Sequence, residues 1–339
     1  MTREGDPEAL VVMSREAFDA QFDAARIARL RRIASVPDPL WTADPTDPAL
    51  ADRLAGVEVL LTGWGAPQLD ADLLGRMPRL RAMLHCAGSV RALVSPEFWE
   101  RGILATSAAE VNSAPVAEFT FAAVIMAGKK APFIAADPAS RRLNGLTADR
   151  YGELSNFGRT IGVVGFSRIG RRVVDLVRQL DDVTCLVADP FADPEEVAAA
   201  GGTLVALDDM LPRVDVLSVH APELPSTRGM IGAAQLTALP DHATVINTAR
   251  GSLIDTPALE RECASGRLNA ILDVTDPEPL PVDSPLYDMP NVMITPHLAG
   301  SLGSELFRMT DAALDELVRF AKGLDPREPV TQESIRLSA

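Results

Sequence analysis

The sequence predicts an α/β protein of two units, the larger built on a doubly wound parallel sheet. Three observations predict it. Short apolar, β-branched runs alternate with helical patterns from Thr160 onward, which is the grammar of a parallel sheet with crossover helices. At 339 residues the chain exceeds the size at which one core keeps growing, so two domains are expected. Finally, Gly165-Phe166-Ser167-Arg168-Ile169-Gly170 follows the first of these strands directly and opens a helix.

Taken in order, Ala9 to Met13 and Val57 to Thr62 read as buried parallel strands, with one amphipathic helix over Phe18 to Ile33 between them. Pro37 to Pro48 carries four prolines and reads as a surface loop. Helix Asp70 to Met77 and strands Leu80 to Leu84 and Ile103 to Thr106 complete a small first unit. Val116 to Met126 is apolar on nearly every face, the pattern of a buried helix bridging two bodies. Lys129 to Arg159 has weak periodicity and is expected to form an extended arm or loop, the segment best placed to embrace a second subunit. The alternation then runs through strands Thr160 to Gly165, Val183 to Ala188, Val214 to Val219, Thr244 to Asn247, Ala270 to Val274 and Val292 to Thr295. Between them lie helices Ile169 to Leu180, Pro194 to Ala200, Ala233 to Leu239 and Pro257 to Ser265. A last helix, Ser304 to Lys322, is long enough to return to the first unit.

Composition narrows the function. The hydrophobic fraction of 47% and charged fraction of 23% are those of a folded soluble protein. A net charge of -15 argues against nucleic acid or an anionic membrane as the main partner, though not against a small anion held in a local basic pocket. The longest apolar stretch, Phe119 to Gly128, reads as too short to span a bilayer, and the first ten residues lack the apolar core of a signal peptide. Cys86, Cys185 and Cys263 are too few and scattered for a disulfide framework or zinc site, so a reducing cytoplasm fits. No group of His, Cys or acidic residues has metal-ligand spacing, and no metal is expected.

The chemistry-bearing residues fall at strand ends, where open sheets bind ligands. A glycine-rich turn lets amides at the helix start meet a pyrophosphate, and an acid at the end of the next strand accepts ribose hydroxyls. That acid, Asp189, stands 19 positions after Gly170. Ser167 stands where such a turn normally has its middle glycine; its hydroxyl is free to bond a phosphate instead, or the pyrophosphate to sit further out. Asp189, followed by Pro190 and Phe191 with no nearby arginine, favours NAD over NADP. Downstream, Asn247-Thr248-Ala249-Arg250-Gly251, Asp273 to Leu280 and Thr295-Pro296-His297 supply an arginine, a carboxylate and a histidine. An arginine grips a carboxylate through two parallel hydrogen bonds, and a histidine beside a carboxylate moves protons near neutral pH. Reducing a 2-keto acid needs a hydride at the carbonyl carbon and a proton at its oxygen. His297 suits the proton donor and Arg250 the carboxylate anchor. Taken singly, each of these residues has a bland reading: a turn cap, a surface cation, a solvated loop acid.

Several segments in order, VNSAPVAEF, VGFSRIGRRV, VLSVHAPELPST, VINTARGSLID, SGRLNAILDVTDPEPLP and NVMITPHLAG, make the chain resemble the D-isomer-specific 2-hydroxyacid dehydrogenases, strongly from Asn112 to Gly300 and weakly outside. The resemblance implies a Rossmann-type domain, 113–301, inserted into a flavodoxin-like substrate-binding domain made of 1–112 and 302–339, with a dimerisation arm at 129–159 and a homodimer as the assembly. It implies NAD as cofactor and a small 2-keto or 2-hydroxy acid as substrate. Carried over, Arg250 binds the substrate, His297 is the acid/base and Glu278 its partner. Gly165, Ser167, Arg168, Ile169, Gly170, Asp189, His220, Ala221, Pro222, Thr227, Thr248, Ala249 and Asn112 are cofactor-binding, and Asp273 sits near the nicotinamide. Trp64, Gly65, Ala87, Gly88 and Ser89 become the substrate wall.

This wall departs from the family pattern. His85 to Arg91 replaces a glycine-rich segment ending in aspartate, and Leu61 to Ala66 lacks the basic residue of phosphoglycerate-type members, which disfavours a phosphorylated substrate. Trp64 reads equally as core or as substrate wall, His85 as lying at the mouth of the cleft, and His242 as a surface residue. A rival reading is an NAD-sensing regulator of the same fold, and another is a dehydrogenase of formate or phosphite.

Overall fold

The computed structural model describes residues 5–138, 140 and 148–337. Contacts divide the chain into two units: one takes the chain up to Asn112 and again from Ser301 to Leu337, and the other is Ser113–Gly300.

In the first unit, strands β1 (Ala9–Val12), β2 (Trp41–Thr42), β3 (Val59–Thr62), β4 (Ala82–His85) and β5 (Leu104–Ser107) are connected by α1 (Arg15–Gln21), α2 (Ala24–Ile33), α3 (Ala51–Gly56), α4 (Ala71–Arg76) and α5 (Pro96–Glu100). The single helix expected over Phe18 to Ile33 is two. Phe22 leaves the helical region, and Asp23 restarts the helix by accepting from the Arg26 N–H, a cap contributing about 1 kcal/mol. The break turns the chain so that Phe18 stacks on both Phe22 and Trp41. The proline-rich loop hides the two-residue strand β2, parallel to β1.

Helix α6 (Ala109–Gly128) carries the chain across the boundary after Asn112. It is 20 residues long with a mean hydropathy of 1.3 over its most apolar window, so by length and composition it could cross a membrane, contrary to the reading of Phe119 to Gly128. Half of that window is buried inside the protein. The stretch 129–159 is not an extended arm throughout, because α7 (Ala131–Ala136) and α8 (Ala148–Tyr151) form within it and Lys130 is buried. Positions 139 and 141–147 of that stretch lie outside the described residues.

The second unit continues with β6 (Thr160–Val164), α9 (Arg168–Val177), β7 (Thr184–Ala188), α10 (Pro194–Ala200), β8 (Thr203–Leu204), α11 (Leu207–Met210), β9 (Val216–Val219), α12 (Ala233–Ala238), β10 (Thr244–Asn247), α13 (Thr256–Ala264), β11 (Asn269–Leu272) and β12 (Val292–Ile294). The strands form one parallel sheet in the order β12-β11-β10-β9-β6-β7-β8. Its strand order reverses between β6 and β9, the switch point where such sheets bind ligands. Side chains alternate between two buried clusters. Val163, Val216, Ile246 and Ile271 enter one, and Val164, Leu217, Val245 and Ala270 the other. Burial on both faces explains why these strands read as unbroken apolar runs.

The chain then returns to the first unit as α14 (Glu305–Ala321), β13 (Pro329–Val330) and α15 (Gln332–Leu337). Arg26 of α2 reaches Asp311 of α14 at 2.6 Å, and β13 pairs antiparallel with β5, completing the order β13-β5-β4-β3-β1-β2. The parallel part, 2-1-3-4-5 in chain order, is the other common doubly wound arrangement.

Candidate active site

Arg250, Glu278 and His297 all hang from the carboxyl edge of the larger sheet, on loops following β10, β11 and β12. Asn247, the last residue of β10, is 1% exposed. Its Oδ1 accepts from the Ala249 N–H at 3.0 Å, and its Nδ2 donates to the Arg250 carbonyl at 2.8 Å. An amide bonded through both its oxygen and its nitrogen therefore brackets the turn that presents Arg250, a role the sequence reading missed. The guanidinium is half-exposed, donates to the Ala249 carbonyl at 2.6 Å, and forms no ion pair among the described residues. Behind it, a Cβ on Gly251 would stand 1.9 Å from the Thr275 carbonyl carbon, so only glycine lets this turn close on the loop that carries Glu278.

His297 Nδ1 lies 2.7 Å from Glu278 Oε1. The proposed relay pair is thus in hydrogen-bond contact, with both side chains half open to solvent. His297 has φ of 53°, a left-handed conformation rare for residues other than glycine and asparagine. Asp273 holds it there. Its backbone carbonyl accepts from the His297 N–H at 2.9 Å, while its buried carboxylate accepts from Thr295 Oγ1, Leu298 N and Ala299 N at 2.6, 2.8 and 2.9 Å. Three of its bonds are thus inside the protein, so Asp273 clamps the histidine loop whatever it also offers a cofactor. Asp273→Asn replaces one acceptor oxygen by a donor facing an N–H. We expect a loss of about 2–3 kcal/mol in denaturant unfolding together with a fall in turnover; unchanged stability would mean the clamp is absent in solution.

The glycine-rich turn has the form that a dinucleotide requires. Gly165 has φ of 95°, and a Cβ there would stand 2.6 Å from the Ala221 nitrogen, so the turn presses directly on the end of β9. The N–H groups of Ser167 and Ile169, at the start of the ten-residue α9, donate to no protein acceptor among the described residues. Such amides are ready for phosphate oxygens. Ser167 is the N-cap of this helix, its Oγ accepting from Gly170 N at 3.3 Å, which explains a hydroxyl where a glycine was expected. Arg168 and Gly170 belong to the same turn of α9, and Ile169 packs on the core. Asp189 accepts one backbone bond on each oxygen, from Phe166 N and Phe191 N, and keeps lone pairs for ribose hydroxyls.

Other expected cofactor contacts are engaged inside the protein. Thr248 Oγ1 lies 2.8 Å from Thr120 Oγ1, which donates to Val116 O, so the Thr248 hydroxyl anchors α6. Thr227 donates to Pro222 O at 2.6 Å and closes its own turn. Ala221 and Ala249 are buried and have only backbone atoms to offer a ligand. His220 is buried against Ser218 Oγ at 2.8 Å, and burial pushes its pKa down to about 3.

In the first unit, Trp64 is 47% exposed, which rules out the core reading. Its carbonyl accepts from Ser14 N, with Gly65 beyond it at φ of 81°. Ala87 is buried, Gly88 half-buried and Ser89 exposed. The N–H groups of Gly88 and Ser89 donate to no protein acceptor among the described residues, leaving two amides able to take a carboxylate. His85 is not at a cleft mouth. Its side chain is buried and bonded to Thr62 Oγ1 at 2.9 Å, with its pKa pushed down to about 4 by burial. Asn112 Oδ1 accepts from Ser301 N at 2.9 Å and ties the chain's exit from this unit to its re-entry.

Because His85 and His220 stay neutral when folded but protonate near pH 6.5 when unfolded, stability is complete above about 6.5 and declines on acidification towards their folded values. Urea titrations between pH 7 and 4.5 should show that decline, and His220→Gln should flatten part of it. An unchanged slope in the variant would remove His220 as its source.

The family model described as D-isomer specific 2-hydroxyacid dehydrogenase, NAD binding domain, matches residues 122–299. The chain is 32% identical over 283 residues to a D-3-phosphoglycerate dehydrogenase of Mycobacterium tuberculosis, covering 83% of this chain and 52% of that protein. It thus spans about half the length of the phosphoglycerate dehydrogenases it matches. A glyoxylate reductase of Aeropyrum pernix is 29% identical over 346 residues, covering 99% and 96% of the two chains. In fold, the D-mandelate dehydrogenase of Rhodotorula graminis superposes with a TM-score of 0.81 at 23% identity, covering 96% of this chain and 98% of that one.

Proposed function

Because the chain belongs to the D-isomer-specific 2-hydroxyacid dehydrogenase family, we propose that it is an NAD-dependent enzyme interconverting a small D-2-hydroxy acid and its 2-keto acid. The observation that carries the reading is the 2.7 Å contact between His297 and Glu278, on the same sheet edge as an arginine with no carboxylate partner among the described residues. Bound NADH supplies the hydride for the carbonyl carbon. His297 Nε2 gives a proton to the carbonyl oxygen, while Glu278 accepts from Nδ1, fixes the tautomer and stabilises the imidazolium in the reverse direction. Arg250 grips the carboxylate and meets charge developing on the carbonyl oxygen. Ser167, Ile169 and their neighbours in the turn hold the pyrophosphate, and Asp189 takes the ribose hydroxyls.

Trp64, Gly65, Ala87, Gly88 and Ser89 are proposed to select the acid. Without a basic residue in Leu61 to Ala66, the reading favours an unphosphorylated substrate such as glyoxylate, hydroxypyruvate or an apolar 2-keto acid. The enzyme is proposed to work as a cytoplasmic homodimer, so light scattering should give twice the chain mass of 36.2 kDa. NADH oxidation across a panel of 2-keto acids tests the activity. Turnover with at least one unphosphorylated member is expected; none with any member would favour an NAD-sensing protein or a dehydrogenase of another small anion.

A further inference from the structure

At the opposite edge of the larger sheet, where β6, β9 and β10 begin, there is a cavity of about 220 Å³ lined by Lys130, Glu153, Arg159, Asp215, Asp241 and His242 among others. A single water needs roughly 10–15 Å³ by the same measure. Lys130, which follows the end of α6, is 4% exposed. Its ammonium donates to the His242 carbonyl and to Thr244 Oγ1, and among the described residues it has no carboxylate in ion-pair contact. Asp215 is already committed, one oxygen to Arg159 at 2.7 Å and the other to the Thr160 N–H at 2.9 Å. A buried cation without a contacting counter-ion is costly.

Backbone strain converges on the same place. Lys130 has φ of 51° and His242 φ of 64°, both in the left-handed region, and one hydrogen bond joins them. Two strained non-glycine residues side by side, each costing about 1 kcal/mol or more, mark a site that the surrounding structure holds in place. Burial and then the nearby Arg159 charge, partly offset by the Asp215 carboxylate, push the Lys130 ammonium down to about 8. That is the direction an approaching anion would reverse.

We propose that this cavity is a binding site for a small oxyanion, phosphate or a compact carboxylate, held by Lys130 with Arg159 as the second cation, and separate from the candidate active site at the carboxyl edge. The anion supplies the contacting negative charge that Lys130 lacks, and binding there would stabilise the sheet that carries Arg250 and His297.

The test uses the full chain saturated with NADH at pH 7, replacing chloride by inorganic phosphate at constant ionic strength. Expected is a saturable rise in Tm of about 2–5 °C, absent in Lys130→Met and retained in Lys130→Arg. No saturable rise in the wild type, or the same rise in Lys130→Met, overturns the site. Should Lys130→Met fail to fold, crystals of the wild type soaked in arsenate decide by anomalous scattering. Arsenic within hydrogen-bond reach of Lys130 Nζ supports the proposal, and an empty cavity beside arsenic bound elsewhere overturns it. Neither readout depends on turnover, so failure here leaves the dehydrogenase reading untouched, and the reverse also holds.

Discussion

His297→Asn is expected to lower kcat by about 100- to 10,000-fold while the dissociation constant for NADH changes by less than about twofold. Asparagine is the informative replacement because it tolerates the left-handed backbone that His297 adopts at φ of 53°, so the loop should keep its course. The Asp273 carbonyl still receives the residue-297 N–H, and the Asp273 carboxylate still holds Leu298 and Ala299. What disappears is the ring proposed to give its proton to the substrate oxygen, together with its contact to Glu278. Steady-state kinetics with NADH fluorescence titration separates the two effects. Retention of kcat within tenfold would remove His297 as the proton donor.

Arg250→Lys is expected to lower kcat/KM for the 2-keto acid by about 100- to 1,000-fold, with the KM for NADH little changed. Lysine keeps the charge and loses the planar fork, so it isolates the two-point grip from simple attraction. The turn itself should survive, because Asn247 bonds only to backbone atoms of Ala249 and Arg250. If Arg250 merely attracted anions, lysine would replace it at a cost of less than about tenfold, and the assignment of carboxylate anchoring would fall.

The central strands of both sheets could be read from the chain because each is buried on two faces and therefore shows a run of apolar residues, whereas the two-residue strands β2, β8 and β13, only partly buried, show no such run. Helix breaks were less legible. The break at Phe22 interrupts an otherwise continuous amphipathic pattern, although Asp23 ahead of an alanine-rich run is itself a capping signal. Ser167 shows the same lesson: weighed as a missing glycine, it is a helix cap whose signature was present in the sequence. The residues that bear charge at strand ends were visible as types, and the contact of Glu278 with His297 was implied by the family resemblance. Their supports were not visible. Asn247 and Asp273 act by folding a loop back on itself, and that geometry exists only once three neighbouring strands are in register. His85 was misplaced for a related reason, since its strand turns the imidazole toward Thr62 in the register pair beside it.

In the proposed reaction the chain moves a hydride between NADH and the second carbon of a small acid, with His297 as proton donor. Incubating it with NADH carrying deuterium at the reactive C4 position, together with a 2-keto acid it turns over, tests that reaction directly. The expected product carries one deuterium at C2 in the D configuration, with almost none formed by His297→Asn. Product lacking deuterium at C2, product of the L configuration, or equal labelling by the variant would contradict it.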